Sequence, residues 1–285
     1  MDPAKTFCPN LDCHARGQIG KGNIKIHSQK EKRYKCKECE KTFAETKGTP
    51  FYRLHKIEQV IDLVKVVVTL LGYGCPLQAI VMAFGLDERT VSEWRERAGI
   101  HCEAVHKHLV ERPRDLGQVQ ADEIRVKEQG QIVWMAMAIM VSTRLWLGGV
   151  ISPHRDMTLI SQLMRKVRAC AVFSKILVCT DGLVSYKGRA LVRQTQTLQR
   201  GMYLVGTIYN FCTYHKSLRL RINGEYYQRT PAMAAGITDQ CWTVRSLLEF
   251  RVPPPSWSPP KRRGRISKVT KQLGVTLKLS EKSVR

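Results

Sequence analysis

Acid is scarce in this chain: 24 Asp and Glu stand against 47 Lys and Arg in 285 residues, a formal net charge of +23. Such a deficit points to polyanions, nucleic acid first, because clustered cations gain affinity by displacing condensed counterions. Long apolar runs are also missing. The most apolar stretches, residues 63–71 and 132–141, cover about ten residues, roughly half a bilayer crossing, so no membrane partner is expected. Residues 1–13 hold no apolar run, so no secretory signal is visible, and a soluble cytoplasmic chain is expected. No internal repeat is found. What remains is 43 % apolar, enough to exclude wholesale disorder. The length suits about two modules.

Ten cysteines in a reducing compartment do not read as a disulfide framework. Four of them form two pairs, Cys8 with Cys13 and Cys36 with Cys39, separated by a polar, Gly- and Lys-rich span. Zinc takes four soft ligands in a tetrahedron, and two tight turns presenting two thiolates each supply them. His14 and His27 are alternative donors. The competing reading is reduced thiols in a flexible arm. Residues 1–50 offer little apolar material for a core of their own, so Zn²⁺ would supply much of the stability. The scattered cysteines (Cys75, Cys102, Cys170, Cys179, Cys212 and Cys241) read as small core hydrophobes.

Residues 51–112 read as helices: Leu54, Ile57, Val60, Ile61 and Val64 recur at helical spacing, with Glu58, Asp62 and Lys65 opposite. Within them, residues 77–95 suit a helix-turn-helix. Ile80, Val81 and Phe84 would pack the first helix, Gly85 would make the turn, and Leu86, Val91 and Trp94 would close the core. Arg89, Thr90, Ser92, Glu93 and Arg95 would face outward, where Arg, Ser and Thr reach base edges or phosphates. An ordinary helical hairpin is the plainer alternative.

From residue 116 the pattern turns to strands at 118–126, 132–142 and 145–151, then a helix at 156–172 and a strand at 175–180. Three antiparallel strands, a helix and a further strand predict an α/β core. Asp122 lies in the first strand and Asp181 ends the fourth. Two carboxylates brought together repel each other and hold Mg²⁺ readily, and a pair of such ions catalyses phosphoryl transfer. Glu123 points to the opposite sheet face. A plain turn residue before Gly182 is the simpler reading of Asp181. Beyond it, short helices are expected at 183–192 and 201–218, and the helix at 203–220 would carry His215 and Arg219, either packed or near DNA. Trp94, Trp134, Trp146 and Trp242 are assigned to cores.

The order of cysteine pairs, helix-turn-helix, Gln120-Ala-Asp-Glu strand, Thr180-Asp-Gly strand end, Tyr209-Asn-Phe-Cys-Thr-Tyr-His-Lys-Ser-Leu-Arg219 and Thr230-Pro-Ala-Met-Ala-Ala-Gly236 resembles a bacterial insertion-sequence transposase. The group it is similar to has a ribonuclease H-like core and a DDE carboxylate triad, and the likeness covers nearly the whole chain. It implies a zinc ribbon at 1–50, a DNA-binding helix-turn-helix domain at 51–112, the ribonuclease H-like core at 113–250 and a basic Pro-rich tail at 251–285. It also implies double-stranded DNA as partner, Asp122 and Asp181 as the first two Mg²⁺ carboxylates, strand cutting and joining, and a homo-oligomer on DNA.

In that family the third carboxylate is a Glu on a helix between the second Asp and the Tyr-Asn…His segment. Here residues 182–208 contain no Asp or Glu. An internal deletion near residues 197–200 accounts for this, and the expectation is a transposase by descent whose chemistry is disabled. A non-enzymatic DNA-binding protein, in effect a repressor of its own element, is the alternative. Glu225, Asp239 and Glu249 are candidate substitutes for the missing Glu. The tail holds 10 basic residues against 1 acid. Its prolines read as an extended spacer. Lys261, Arg262, Arg263 and Arg265 resemble an AT-hook, with Ile266 where the hook has Pro; a solvated basic tail is the alternative.

Overall fold

A computed structural model describes residues 1–54, 57–128, 131–173, 176–180 and 196–259. Asp181, the helix expected at 183–192, and Lys261, Arg262, Arg263 and Arg265 lie outside the described residues. The chain divides into two compact units. Of the described residues, one unit comprises 1–27, 34–42 and 253–259; the other comprises those within 28–33 and 43–252.

The N-terminal strands are β1 (Ile24–Ser28), β2 (Arg33–Cys36) and β3 (Thr42–Ala44), hydrogen-bonded in that order. Contrary to expectation, the first unit has a small core: Phe7, Cys8, Cys13, Ala15, Ile24, Tyr34 and Cys36 are all buried. The apolar residues are few, and Leu11, Ile19 and Ile26 stay exposed, so this core is small. Tyr34 adds a polar tie, its hydroxyl accepting from the Asp2 amide at 2.9 Å.

The second unit begins with α1 (Ile57–Gly72), α2 (Leu77–Phe84) and α3 (Glu88–Leu109). Val64, Val67, Val68 and Leu71 bury the inner face of α1. Lys65, expected on its polar face, is buried as well, because Glu249 meets its ammonium at 2.8 Å and Phe51 lies beneath it. Gly85 ends α2 in the left-handed conformation (φ 59°), and Asp87 then caps α3 through the Arg89 and Thr90 amides. A residue with a Cβ is strained at that turn, which is why Gly punctuates it. Ile80, Val91 and Trp94 are buried as expected, whereas Phe84 is exposed: the short α2 has no partner beyond its inner stripe.

A four-stranded mixed sheet follows, built from β4 (Gln118–Glu128), β5 (Gln131–Met140), β6 (Trp146–Ser152) and β7 (Leu177–Cys179) in the order β6-β5-β4-β7. β4–β5 and β5–β6 are antiparallel, while β4–β7 is parallel, with Gln118 opposite Leu177 and Gln120 opposite Cys179. A parallel pair needs a crossover, and α4 (Met157–Ala169), capped by Asp156, lies within it. Leu159, Leu163 and Val167 of α4 pack on Val119, Ala121, Ala136 and Ala138. On the other face, α5 (Gln196–Cys212) joins α3 through Met202, Tyr203, Leu204 and Ile208 against Trp94, Cys102, Val105 and Trp146. Helices thus cover both sides, which explains why all of β6 is buried. The chain is therefore α/β, as the strand and helix pattern predicts.

After α5 the expected helix does not continue. His215 is extended, and a single 3-10 turn, Lys216–Leu218, leads into the hairpin β8 (Leu220–Ile222) and β9 (Glu225–Tyr227). Two short helices, α6 (Pro231–Ala234) and α7 (Val244–Glu249), complete the second unit.

Gly206 tests the close packing of α5. A Cβ there would sit 2.4 Å from the Trp146 ring, which is itself wedged against His106 and Tyr203. Glycine to alanine in a helix interior normally gains about 1 kcal/mol. Here Gly206→Ala is expected to reverse that sign and cost about 1–3 kcal/mol by overpacking. A lower urea midpoint at unchanged slope checks it.

Candidate metal centre and nucleic-acid surfaces

The four paired cysteines converge. The sulfurs of Cys8, Cys13, Cys36 and Cys39 all lie within 4.8 Å of one another, and three of the four residues are buried. Cys8 Sγ is 3.6 Å from Cys39 Sγ, and Cys13 Sγ is 3.9 Å from Cys36 Sγ. Four thiolates at the usual zinc–sulfur distance of about 2.3 Å stand about 3.8 Å apart at the corners of a tetrahedron. The donor set therefore fits a structural metal such as zinc.

Local backbone prepares the site. The amides of Asn10, Ala15 and Lys41 are directed at the sulfurs of Cys8, Cys13 and Cys39, in each case from two residues further along. Such donors stabilise the thiolate that a metal requires. Burial pushes the Cys39 thiol up, but the Lys41 amide, the Asn10 side chain and the neighbouring thiols outweigh it and bring it down to about 7. Burial dominates at Cys8 and Cys13, which are raised. Neither histidine is needed: His14 Nε2 meets Glu38 at 3.1 Å, and His27 is exposed on β1. The segment after Pro253 folds back within this unit. Arg16 donates to the carbonyls of Pro255 at 2.7 Å and Ser256 at 3.0 Å, and the Trp257 ring stands edge-on to His14. The described part of the Pro-rich spacer is therefore a docked strap.

Of the remaining cysteines, Cys102 and Cys170 are fully buried, whereas Cys75, Cys179, Cys212 and Cys241 are half-buried. Of the four tryptophans assigned to cores, Trp94 and Trp146 are buried, Trp134 lies under Arg155 at 4.8 Å, and Trp242 stands between Phe211 and Phe250.

Asp122 sits on central strand β4, exposed, with its Oδ1 accepting from the Glu123 amide at 2.8 Å. Glu123 takes the other face, where Arg155 meets its carboxylate at 3.1 Å. Among the described residues, the cysteine set is the only cluster of three or more metal-ligating side chains, so no two described carboxylates join Asp122 in such a group. The substitute acids sit elsewhere: Glu225 is exposed beside the β8–β9 turn, Glu249 is engaged by Lys65 and Arg245, and Asp239 is exposed. The described residues alone therefore do not fit a two-Mg²⁺ site.

The surface of α2–α3 is less basic than its sequence suggested. Arg89 is exposed, but Thr90, Ser92 and Arg95 are half-buried, and Arg95 lines an apolar groove of about 680 Å³ with Met135, Met137 and Leu198. Asp87, Glu88, Glu93 and Glu96 are exposed around the start of α3. Arg97 pairs with Glu93, and Arg200 with Glu96. Acid thus outweighs free base on that face.

His215 is the N-cap of the 3-10 turn, with Nδ1 2.8 Å from Ser217 Oγ and its ring edge-on to Tyr209. Sequence reasoning missed Asn210. It is fully buried in α5, and its side chain accepts from the Trp146 amide and donates to the Trp146 carbonyl, both at 2.8 Å. Asn beside aromatic residues in a helix was the available signal, but its β-strand partner lies far off in sequence.

No helix among the described residues is long and apolar enough to cross a membrane. No protein-family model, curated protein or solved structure matches the chain.

Proposed function

We propose that the chain is a duplex-DNA-binding protein descended from an insertion-sequence transposase, with its strand-transfer chemistry disabled. One observation carries the reading: the parallel pairing of β4 with β7. The sheet order β6-β5-β4-β7 is the third, second, first and fourth strand of the core, the arrangement that a ribonuclease H-like plan requires. Asp122 follows Gln120 by two residues, as Asp181 follows Cys179, and Gln120 and Cys179 are register partners. Both motif aspartates therefore come in sequence just after one paired position on adjacent strands.

The disabled state rests on the missing third acid. Residues 182–208 carry no Asp or Glu, and Glu225, Glu249 and Asp239 are sited or engaged elsewhere. Two Mg²⁺ ions in such a site would stabilise the attacking and leaving oxygens of a phosphodiester. With one carboxylate fewer, that clamp is lost. The chain's own residues retain binding through its +23 charge and a zinc-type ribbon, whereas the acid-rich start of α3 adds little to it. It would then act as a multimer on element-end DNA, in effect a repressor of its own element.

The test is a binding and nicking assay on labelled element-end duplexes with Mg²⁺ or Mn²⁺. Binding is expected at about micromolar Kd or tighter, weakening steeply with salt, without nicking or joining. Metal-dependent cleavage that Asp122→Asn abolishes would overturn the disabled state. Absence of duplex binding at moderate salt would sink the reading as a whole.

A further inference from the structure

The β8–β9 hairpin stands apart from both cores. Every residue of both strands is exposed, including Leu220, Ile222, Tyr226 and Tyr227. The Asn223-Gly224 turn, with φ 51° and 90°, gives the left-handed pair that a tight two-residue hairpin demands. An isolated two-stranded ribbon is marginal in water, so a ribbon this exposed calls for a partner.

Its two faces differ. Arg221 is the register partner of Tyr226, and Arg219 lies two residues earlier on the same face. Both guanidinium groups lie over the single Tyr226 ring, at 4.4 Å for Arg219 and 5.7 Å for Arg221. Both side chains are exposed, and among the described residues the partner shown for each is the Tyr226 ring. Lys216 and Arg229 flank them, and Glu225 is the lone acid of residues 214–229. Two like charges have been set on one exposed aromatic platform, an arrangement that an anion would stabilise beyond what solvent screening supplies. The aromatic ring also holds them in place, which reduces the entropy lost on binding.

We propose that the β8–β9 hairpin is a duplex-DNA contact in which Tyr226 presents Arg219 and Arg221 to neighbouring backbone phosphates. This deepens the DNA-binding reading and rests on it. Charge favours this surface over the start of α3, where Asp87, Glu88, Glu93 and Glu96 surround Arg89. The geometry also favours duplex over single strands: guanidinium groups already cover the Tyr226 ring, the one that a stacked base would need on this face. A two-stranded ribbon is of a size that a DNA groove admits. The opposite face carries Leu220, Ile222 and Tyr227, which would lie against sugars and base edges, and Glu225, which sits at its end beside the turn.

The experiment uses the full-length, zinc-loaded chain and a fluorescent mixed-sequence duplex, with anisotropy read over a salt series. Each phosphate contact contributes about 0.9 to the salt slope, so Arg219→Gln with Arg221→Gln should lower it by about 1.8. Over a fourfold rise in salt the unsubstituted chain should then lose about tenfold more affinity than the double variant. Tyr226→Ala should weaken binding, and Tyr226→Phe should retain it, with melting temperature unchanged in every case. Two outcomes overturn the proposal: a double variant with unaltered affinity and slope, or one in which Ile222→Ser and Tyr227→Ser change only the oligomeric state, which makes the hairpin a self-association surface. In both, the unsubstituted chain still binds, so DNA binding itself stands. If the unsubstituted chain binds no duplex, that broader reading fails too.

Discussion

Stripping metal from this protein is expected to unfold its first unit and leave its second standing. The reason is the ratio of apolar side chains to chain length. Phe7, Ile24 and Tyr34 are the large buried residues around the cysteines, a core too small to offset the conformational entropy of that many residues. Structural zinc binding contributes about 10–16 kcal/mol near neutral pH. Elemental analysis should find one zinc per chain, and thiol reagent should reach none of the four cysteines until chelator is added. Cys36→Ser should reproduce chelation, because Cys36 is fully buried and its sulfur faces that of Cys13. The strap supplies a second readout: once the ribbon opens, Arg16 no longer holds the Pro255 and Ser256 carbonyls, and limited proteolysis should cut around residues 253–259. Affinity should fall as pH drops, since each thiol must shed its proton to bind as thiolate, and Cys8 and Cys13 are the reluctant ones. A chain free of zinc with an unchanged ribbon spectrum after chelation would defeat the expectation.

The elements that sequence made visible are those whose signals are local. Cys36 and Cys39 announce a metal-binding turn by their spacing alone, and Gly85 punctuates α2 and α3 where the apolar spacing puts the turn. Strands β4 to β6 and helix α4 followed from periodicity, because each turn between them is short. What stayed hidden depends on partners distant in the chain. Lys65 reads as a solvated lysine until Glu249 is brought to it. Arg95 reads as a DNA-facing residue until Met135 and Met137 of β5 enclose it. The amides aimed at the cysteine sulfurs belong to Asn10, Ala15 and Lys41, whose side chains carry no such message. The end of α5 is hidden for a related reason: the helix stops at Cys212 and His215 is extended, yet no Pro or Gly marks the stop.

The Tyr-Asn…His segment makes the same point at the scale of one side chain. Asn210 belongs to the motif that supports the transposase likeness, yet what it touches is the backbone at the start of β6. Trp146 N and O are both bonded to its amide group at 2.8 Å, and the site is fully buried. Those two backbone groups have no water to turn to. Asn210→Ala is therefore expected to cost about 2–6 kcal/mol, one desolvation penalty for each orphaned group. In a unit of this size that lowers the melting temperature by about 10 °C. Asn210→Asp should be nearly as harmful, because a carboxylate cannot donate to the Trp146 carbonyl and its charge would be buried. Loss of cooperative unfolding, or DNA binding that falls only in step with the folded fraction, fits a clamp. A variant that melts like the parent but binds or cleaves DNA differently would instead place Asn210 in the chemistry, and its two bonds to Trp146 would then need another explanation.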